Sequence, residues 1–128
     1  MLNKVKHPIP SGIRLQMLIQ NYHTKILKRE KDNDKFIYLY NIGTYWVAFE
    51  RSACLLNGIF PKGEVSLFMV SGYLDYVVMV SVSNAEIALG FRKHIILRDE
   101  VDYKMVNVAP LSIGDYQRWH IGVVKLVL

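Results

Sequence analysis

Nucleophilic catalysis is the first chemistry to consider, because the chain contains one cysteine and four histidines. Cys54 would act as a thiolate nucleophile if His94 or His120 lay close enough to serve as its base. Cys54, however, falls on the buried face or flank of a predicted helix, where a thiol behaves as a small apolar side chain. No two neighbouring histidines have the spacing of metal ligands. We therefore expect an inert core thiol, and histidines at the surface or at interfaces.

The acidic residues offer a second possible site. Asp99, Glu100 and Asp102 form a short cluster of the kind that holds Mg²⁺ in phosphoryl-transfer enzymes. They lie between two predicted strands, so a solvated turn is the simpler interpretation. The sequence contains no glycine-rich phosphate loop, no G-x-S-x-G motif and no H-E-x-x-H motif. Because no catalytic set is complete and no metal or other cofactor is indicated, we expect a protein that is not an enzyme.

Positive charge is concentrated at the start of the chain. Residues 1–35 contain eight basic and three acidic side chains, whereas residues 36–128 contain eight of each. A basic segment of this kind can contact phosphates. The candidate contacts are Lys25, Lys28 and Arg29 on the first helix, with Lys4 and Lys6 on an arm before it. The alternative is a solvated helix face, since most lysines and arginines lie at surfaces whatever a protein does.

Length and composition indicate one folded domain. A chain of 128 residues, 52% of them hydrophobic, is long enough and apolar enough to bury a core. Its single cysteine excludes an intrachain disulfide and a cysteine-rich zinc site. We expect an extended basic arm over residues 1–11 and a globular domain over residues 12–128.

Hydrophobic periodicity and turn residues predict the elements that position these side chains. Helices are predicted over 12–29, 48–56 and 83–91, and strands over 36–41, 45–47, 64–71, 74–81, 94–97 and 103–108. Ser83 and Glu86 have the spacing of a helix capping box. After Asp115 the pattern fits a helix or a strand, and we favour a helix. This order predicts an α/β fold, with α+β possible, built on a single mixed sheet flanked by about three helices.

The hydropathy pattern bears on location and assembly. The first residues have no apolar run like that of a secretory signal, and the most apolar window, 65–82, is interrupted by Gly72 and Asp75. We therefore expect a cytoplasmic protein with no membrane helix. Residues 122–128 are unusually apolar, so we expect them to be buried in the fold or paired in a homodimer.

One stretch goes beyond composition. Residues 36–56, FIYLYNIGTYWVAFERSACLL, run from an aromatic strand through a glycine turn to two aromatic residues and a helix. This stretch resembles the N-terminal, mismatch-recognition domain of the DNA mismatch-repair protein MutS, in which an apolar strand precedes G-D-F-Y-E-x-F-x-x-D-A. Without gaps, the matching positions are the turn glycine, three aromatic residues and a helix alanine: Gly43, Tyr45, Trp46, Phe49 and Ala53.

The resemblance implies a stand-alone MutS-domain-like module that binds nucleic acid. Tyr45 occupies the position of the family's stacking wedge, beside Gly43 and Trp46, and an exposed ring there could enter a groove. Val47 replaces the glutamate that hydrogen-bonds the mispaired base, and no ATPase region is present, so we expect binding without mismatch specificity. Such small proteins act as accessories of bacterial mobile genetic elements, which makes nucleic acid or a nucleic-acid enzyme such as a reverse transcriptase the expected partner.

Three alternatives remain open at this stage. Tyr45 and Trp46 could be edge-strand aromatics packed on the sheet. The chain could be a scaffold subunit that acts as a homo-oligomer. It could also be a small hydrolase that uses Asp99, Glu100 and Asp102 with a metal ion.

Overall fold

Four helices and six strands follow one another in the computed structural model, which describes residues 11–128. The helices are α1 (Ser11–Glu30), α2 (Glu50–Ile59), α3 (Asn84–Gly90) and α4 (Ile113–Val127). The strands are β1 (Phe36–Asn41), β2 (Tyr45–Phe49), β3 (Glu64–Phe68), β4 (Val77–Ser83), β5 (Ile95–Asp99) and β6 (Tyr103–Asn107). Of the predicted basic arm, residues 1–10, with Lys4 and Lys6, lie outside the described residues.

The six strands form one sheet in the order β3-β4-β2-β1-β6-β5. The predicted α/β class with a single sheet is confirmed, but every neighbouring pair is antiparallel, so the sheet is not mixed. Three of the five neighbouring pairs, β1–β2, β3–β4 and β5–β6, are hairpins of consecutive strands and are antiparallel for that reason, since parallel neighbours need a long crossover. The described residues form four helices rather than about three, because the segment after Asp115 is helical, as favoured.

Side chains of alternating strand residues enter two separate apolar layers, one on each face of the sheet. In β2, Val47 and Phe49 pack with Ile26 of α1. Trp46 and Ala48 point the other way and pack with residues of α2 and α3. Helix α1 therefore covers one face, while α2, α3 and the Trp119 side chain of α4 cover the other.

The predicted helix over 48–56 is wrong at its start. Ala48 and Phe49 belong to β2, where they pair with Val80 and Met79 of β4. Phe49, which the prediction places in the same helix as Ala53, lies on the opposite side of the sheet from Ala53. The chain changes direction at Glu50, which adopts a φ of +52° that residues other than glycine rarely take. At its other end, α2 continues past the predicted helix end at Leu56 to Ile59.

Ser83 caps α3 as predicted, its side chain accepting a hydrogen bond from the Glu86 N–H. Strands β3 and β4 form the predicted hairpin, but β3 ends at Phe68 and β4 begins at Val77, so the predicted strand ends at 71 and 74 are wrong. The apolar segment 122–128 is not buried within the chain, because Leu126 is 87% exposed and Leu128 is 74% exposed. Its pairing with a second copy stays a prediction.

A buried carboxylate joins α1 to the start of α2. Glu30, the last residue of α1, is buried, and its Oε1 accepts hydrogen bonds from the Ser52 N–H at 2.8 Å and the Asn33 side-chain amide at 3.2 Å. The Ser52 hydroxyl lies 2.5 Å from Glu30 Oε2. Phe49, the residue before α2, provides no side-chain cap. Glu30 therefore caps α2 from another helix, satisfying an N–H of its first turn.

Stability should fall with rising pH because of Glu30. Burial raises the pKa of Glu30 from 4.5 to about 7, so the folded chain holds a proton that the unfolded chain releases between these values. The free energy of unfolding should then fall by on the order of 3 kcal/mol as pH rises from 4.5 to 7. Glu30→Gln, which mimics the protonated side chain, should remove this decline in urea denaturation measured from about pH 4.5 to 8.

Two features of the chain allow the effect of Glu30 on stability to be separated from that of other titrating groups. The hydrogen bond to Glu50 raises the pKa of His120 above 6.5, so Glu30→Gln should keep the separate decline that begins above that pH. The exposed Glu64 provides a matched control, because Glu64→Gln should leave the whole pH profile unchanged. An unchanged profile in Glu30→Gln would contradict the assignment.

Candidate nucleic-acid interface

A groove runs between α1 and the part of the sheet that α1 leaves uncovered. We call it the α1 groove. Its volume is about 960 Å³. The α1 side is formed by residues three or four positions apart, which share one helical face, and the sheet side by the ends of β1, β5 and β6. The lining residues are Arg14, Met17, Leu18, Asn21, Tyr22, Lys25, Ile26, Arg29, Tyr40, Asn41, Arg98, Glu100, Asp102 and Tyr103.

Arg29 is fixed in the groove by three tyrosines. Its guanidinium donates a hydrogen bond to the Tyr40 hydroxyl at 2.9 Å. The same group lies 5.3 Å from the ring centre of Tyr38 and 5.2 Å from that of Tyr103. Burial raises the pKa of Tyr40, so its phenol remains neutral and can accept the bond. These contacts hold the cation in one orientation before any ligand arrives, which lowers the entropic cost of binding.

The groove has an excess of positive charge. Arg14, Lys25, Arg29 and Arg98 face two acids, Glu100 and Asp102. Arg98 is paired with Glu100 at 2.6 Å. Its guanidinium also lies 5.9 Å from the Tyr103 ring, on the side of the sheet that Arg29 contacts. The groove therefore combines cations and aromatic rings, the two features by which proteins bind single-stranded nucleic acid.

Gly43 and Tyr45 lie near the other end of α1. Gly43 has a φ of +111°, and a β-carbon there would lie 3.2 Å from the Ser11 hydroxyl oxygen. The Thr44 hydroxyl lies 3.3 Å from the same oxygen. Tyr45 follows this turn and is 43% exposed. The predicted stacking residue is thus accessible, but it is separated from Arg29 by most of the length of α1.

Four of the six predicted contact residues do not line the α1 groove: Gly43 and Tyr45 at the turn, and Trp46 and Lys28. Trp46 is 6% exposed and lies in the core on the opposite face from Tyr45, with the Lys104 ammonium 5.0 Å from its ring centre. Tyr45 and Trp46 are consecutive residues of β2, and consecutive side chains of a strand point to opposite faces of the sheet. Lys28 is exposed but borders a different cleft, with Glu50 and Tyr116. Lys25 and Arg29 are therefore the predicted basic residues that the structure brings together.

No protein-family model, curated protein or solved structure matches this chain. Within residues 11–128 no helix is both long enough and apolar enough to cross a membrane.

Two residues of the acidic cluster form ion pairs with neighbouring basic side chains. Asp99 pairs with Lys104, and Glu100 pairs with Arg98. Among the residues the structure describes, no group of three histidine, cysteine or acidic side chains is placed to hold a metal ion. The arrangement favours the solvated turn over the metal site.

Sequence reasoning missed the tyrosines that hold Arg29. Tyr38 and Tyr40 alternate along β1, so the strand prediction places them on one face. Tyr103 and Arg98 reach the same face only through the pairing of β6 with β1 and with β5. The spacing in β1 was a usable signal, whereas the pairing was not visible in one sequence.

Cys54 should react slowly with thiol reagents. Burial raises the pKa of its thiol to about 11, so little thiolate is present near neutral pH. The rate of alkylation by iodoacetamide should still be increasing above about pH 9, well beyond the range in which a free thiol with a pKa of ~8.5 levels off. The urea-unfolded chain serves as the control. A folded-state rate that levels off near pH 7 would show an activated cysteine instead.

Proposed function

We propose that this chain is a non-enzymatic module that binds single-stranded nucleic acid in the α1 groove. The observation that carries the proposal is the fixed Arg29 guanidinium among Tyr38, Tyr40 and Tyr103. Bases stack on aromatic rings and on arginine planes, and each such contact contributes ~1–3 kcal/mol without sequence preference. Lys25 provides a phosphate contact beside this cluster.

The dimensions of α1 support a short binding site. Arg14 and Arg29 are fifteen residues apart on the helix, which corresponds to ~22 Å at 1.5 Å per residue. A single strand with the duplex spacing of ~3.4 Å per nucleotide would cover this distance with about six nucleotides. Such a strand would extend from the Arg29 cluster towards the turn that presents Tyr45.

The MutS-like assignment is part of the proposal and rests on the motif in residues 36–56. Tyr45 is exposed and available to stack. Val47, at the position of the family's glutamate, is fully buried against α1 and makes no contact with solvent. We therefore propose binding without mismatch specificity or ATPase activity. The module would bind nucleic acid, or a nucleic-acid enzyme such as a reverse transcriptase, as an accessory factor in a bacterial cytoplasm.

Binding should depend on salt and on groove residues. The probe is a fluorescent twelve-nucleotide oligothymidine with a 5′-hydroxyl end, measured by anisotropy at ~50 and ~200 mM salt. Affinity should fall with salt, and Lys25→Ser should reduce the slope of log K against log salt by roughly 0.7, the value for one phosphate contact. Tyr45→Ala should weaken binding by roughly 1–3 kcal/mol if one base stacks on it.

The controls are matched in charge and position. Lys28→Ser removes a lysine from the same helix outside the groove, and Lys62→Ser removes one from a distant turn; neither should change the slope. Equal effects of Lys25→Ser and Lys62→Ser would show that the strand is attracted by the overall positive charge and is not bound in the groove. Salt-insensitive binding, or no binding, would reject the proposal that the α1 groove binds nucleic acid.

A second candidate function is self-association through the end of α4. Ile121, Leu126 and Leu128, all within the last eight residues, are more than half exposed, and exposed apolar surface of this kind is commonly covered by a partner. This is the scaffold alternative, with a second copy of the chain as the partner.

Self-association should depend on concentration and on Leu126. Sedimentation velocity over about 5–200 µM should show a dimer for the unmodified chain and a monomer for Leu126→Lys, because a buried unpaired charge opposes association. Lys125→Glu, which alters the neighbouring charge and keeps the apolar residues, is the control. If the unmodified chain stays a monomer over the whole concentration range, self-association through the end of α4 is rejected.

A further inference from the structure

A second cleft lies on the other side of α1, where its last turn meets the start of α2. We call it the α2 cleft. Its volume is about 480 Å³, within the usual range for small-molecule sites. One lysine of α1, one lysine of the turn after it, the first turn of α2 and two tyrosines surround the cleft. The lining residues are Leu27, Lys28, Glu30, Lys31, Glu50, Arg51, Tyr73 and Tyr116.

Glu50 contributes a buried acceptor that lacks a donor. The residue is 4% exposed, and its Oε1 has no hydrogen-bond partner among residues 11–128. Its other oxygen, Oε2, accepts from the Tyr116 hydroxyl and lies 3.2 Å from His120 Nε2. A buried carboxylate oxygen without a donor is costly. A ligand with an N–H group in the cleft would satisfy it.

The contacts on Oε2 determine which way Glu50 is fixed. Tyr116 and His120 both come from α4, and His120 Nε2 also lies 3.1 Å from the Tyr76 carbonyl oxygen. Because these groups occupy Oε2, Oε1 is the oxygen left for a ligand; it is closed to solvent, so a ligand reaches it only by displacing a neighbouring side chain. The backbone of Glu50, at a φ of +52°, is likewise held by its surroundings.

Charge and shape define the ligand further. Lys28, Lys31 and Arg51 surround the carboxylates of Glu50 and Glu30, and Glu30 is partly protonated near neutral pH because its pKa is about 7. The cleft therefore favours an anion. Tyr73 is partly exposed and presents a ring to the cleft, while the Tyr116 ring is covered by Arg51, whose guanidinium lies 5.4 Å from the ring centre.

We infer that the α2 cleft binds one nucleoside monophosphate unit. The base donates an N–H to Glu50 Oε1 and stacks on Tyr73, and the phosphate contacts Lys28, Lys31 and Arg51. This chemistry is present in a free nucleotide and in the 5′-phosphorylated end of a strand. The site shares no groove residue with the proposed single-strand surface and does not depend on it.

Calorimetric titration with AMP, GMP, CMP and UMP tests the site directly. At least one should bind, and ribose 5-phosphate, which lacks the base, should bind at least tenfold more weakly. Binding should also move the imidazole proton resonances of His120, because His120 contacts Glu50. A dinucleotide with and without a 5′-phosphate separates the two sources: a preference for the phosphorylated form over the free nucleotide assigns the site to strand ends.

Glu50→Gln tests the acceptor. Tyr116 donates to one side of the side chain, so the glutamine carbonyl stays there and its amide group replaces Oε1 with a donor. The glutamine amide and the N–H of the base are then both donors and cannot hydrogen-bond to each other. The affinity for the nucleotide should therefore fall roughly 10- to 100-fold. The double variant Lys28→Ser/Lys31→Ser, with both changes at exposed positions, should lose roughly tenfold and remains informative if Glu50→Gln fails to fold.

The controls separate this site from the α1 groove. Lys25→Ser and Lys62→Ser should bind the nucleotides as the unmodified chain does. The inference is overturned if no monophosphate binds, if ribose 5-phosphate binds as tightly as the nucleotides, or if Lys25→Ser weakens binding as much as the double variant. Weaker, less salt-dependent oligothymidine binding in Lys25→Ser, with nucleotide binding retained, would show two independent sites.

Discussion

The contact between Glu30 and Ser52 is the constraint on which the rest of the fold depends. It is the point at which the helix on one face of the sheet meets the helix that begins on the other face. Asn33 joins the same network and also accepts from the Phe36 N–H, so the loop before β1 is fixed as well. One buried carboxylate thus sets the end of α1, the start of β1 and the first turn of α2.

Both candidate sites lie beside this junction, and they differ in what the junction fixes. In the α1 groove, it anchors the helix that carries Arg29 and Lys25 above the tyrosines of β1 and β6. In the α2 cleft, it brings Glu30 and Glu50 to the same wall. Because α1 has a different set of basic side chains on each flank, one helix supplies cations to two surfaces of unlike chemistry.

Local sequence patterns were enough for most elements and for part of the site. The aromatic strand β1 and the Ser83 cap follow from periodicity and capping chemistry in short windows, whereas the expectation of an exposed Tyr45 came from the MutS resemblance. The break at Glu50 does not, because it is imposed by the pairing of Phe49 with β4 and by a cap that comes from Glu30. Arg98 and Tyr103 likewise reach Arg29 only through sheet pairing, and the burial of Trp46 follows from which face of β2 it occupies. These contacts join residues that are far apart in the chain.

The strand order has a consequence for how the chain folds. Strands β5 and β6 form a local hairpin, but this hairpin joins the sheet only through β1, whose partner residues precede it by about half the chain. Closing so long a loop carries an entropic cost that only later contacts offset. The β5–β6 hairpin should therefore dock late, and until it does, the α1 groove lacks the side chains that β5 and β6 contribute, Arg98 and Tyr103. A folding intermediate with α1 and the first four strands in place would be compact and yet have an incomplete groove.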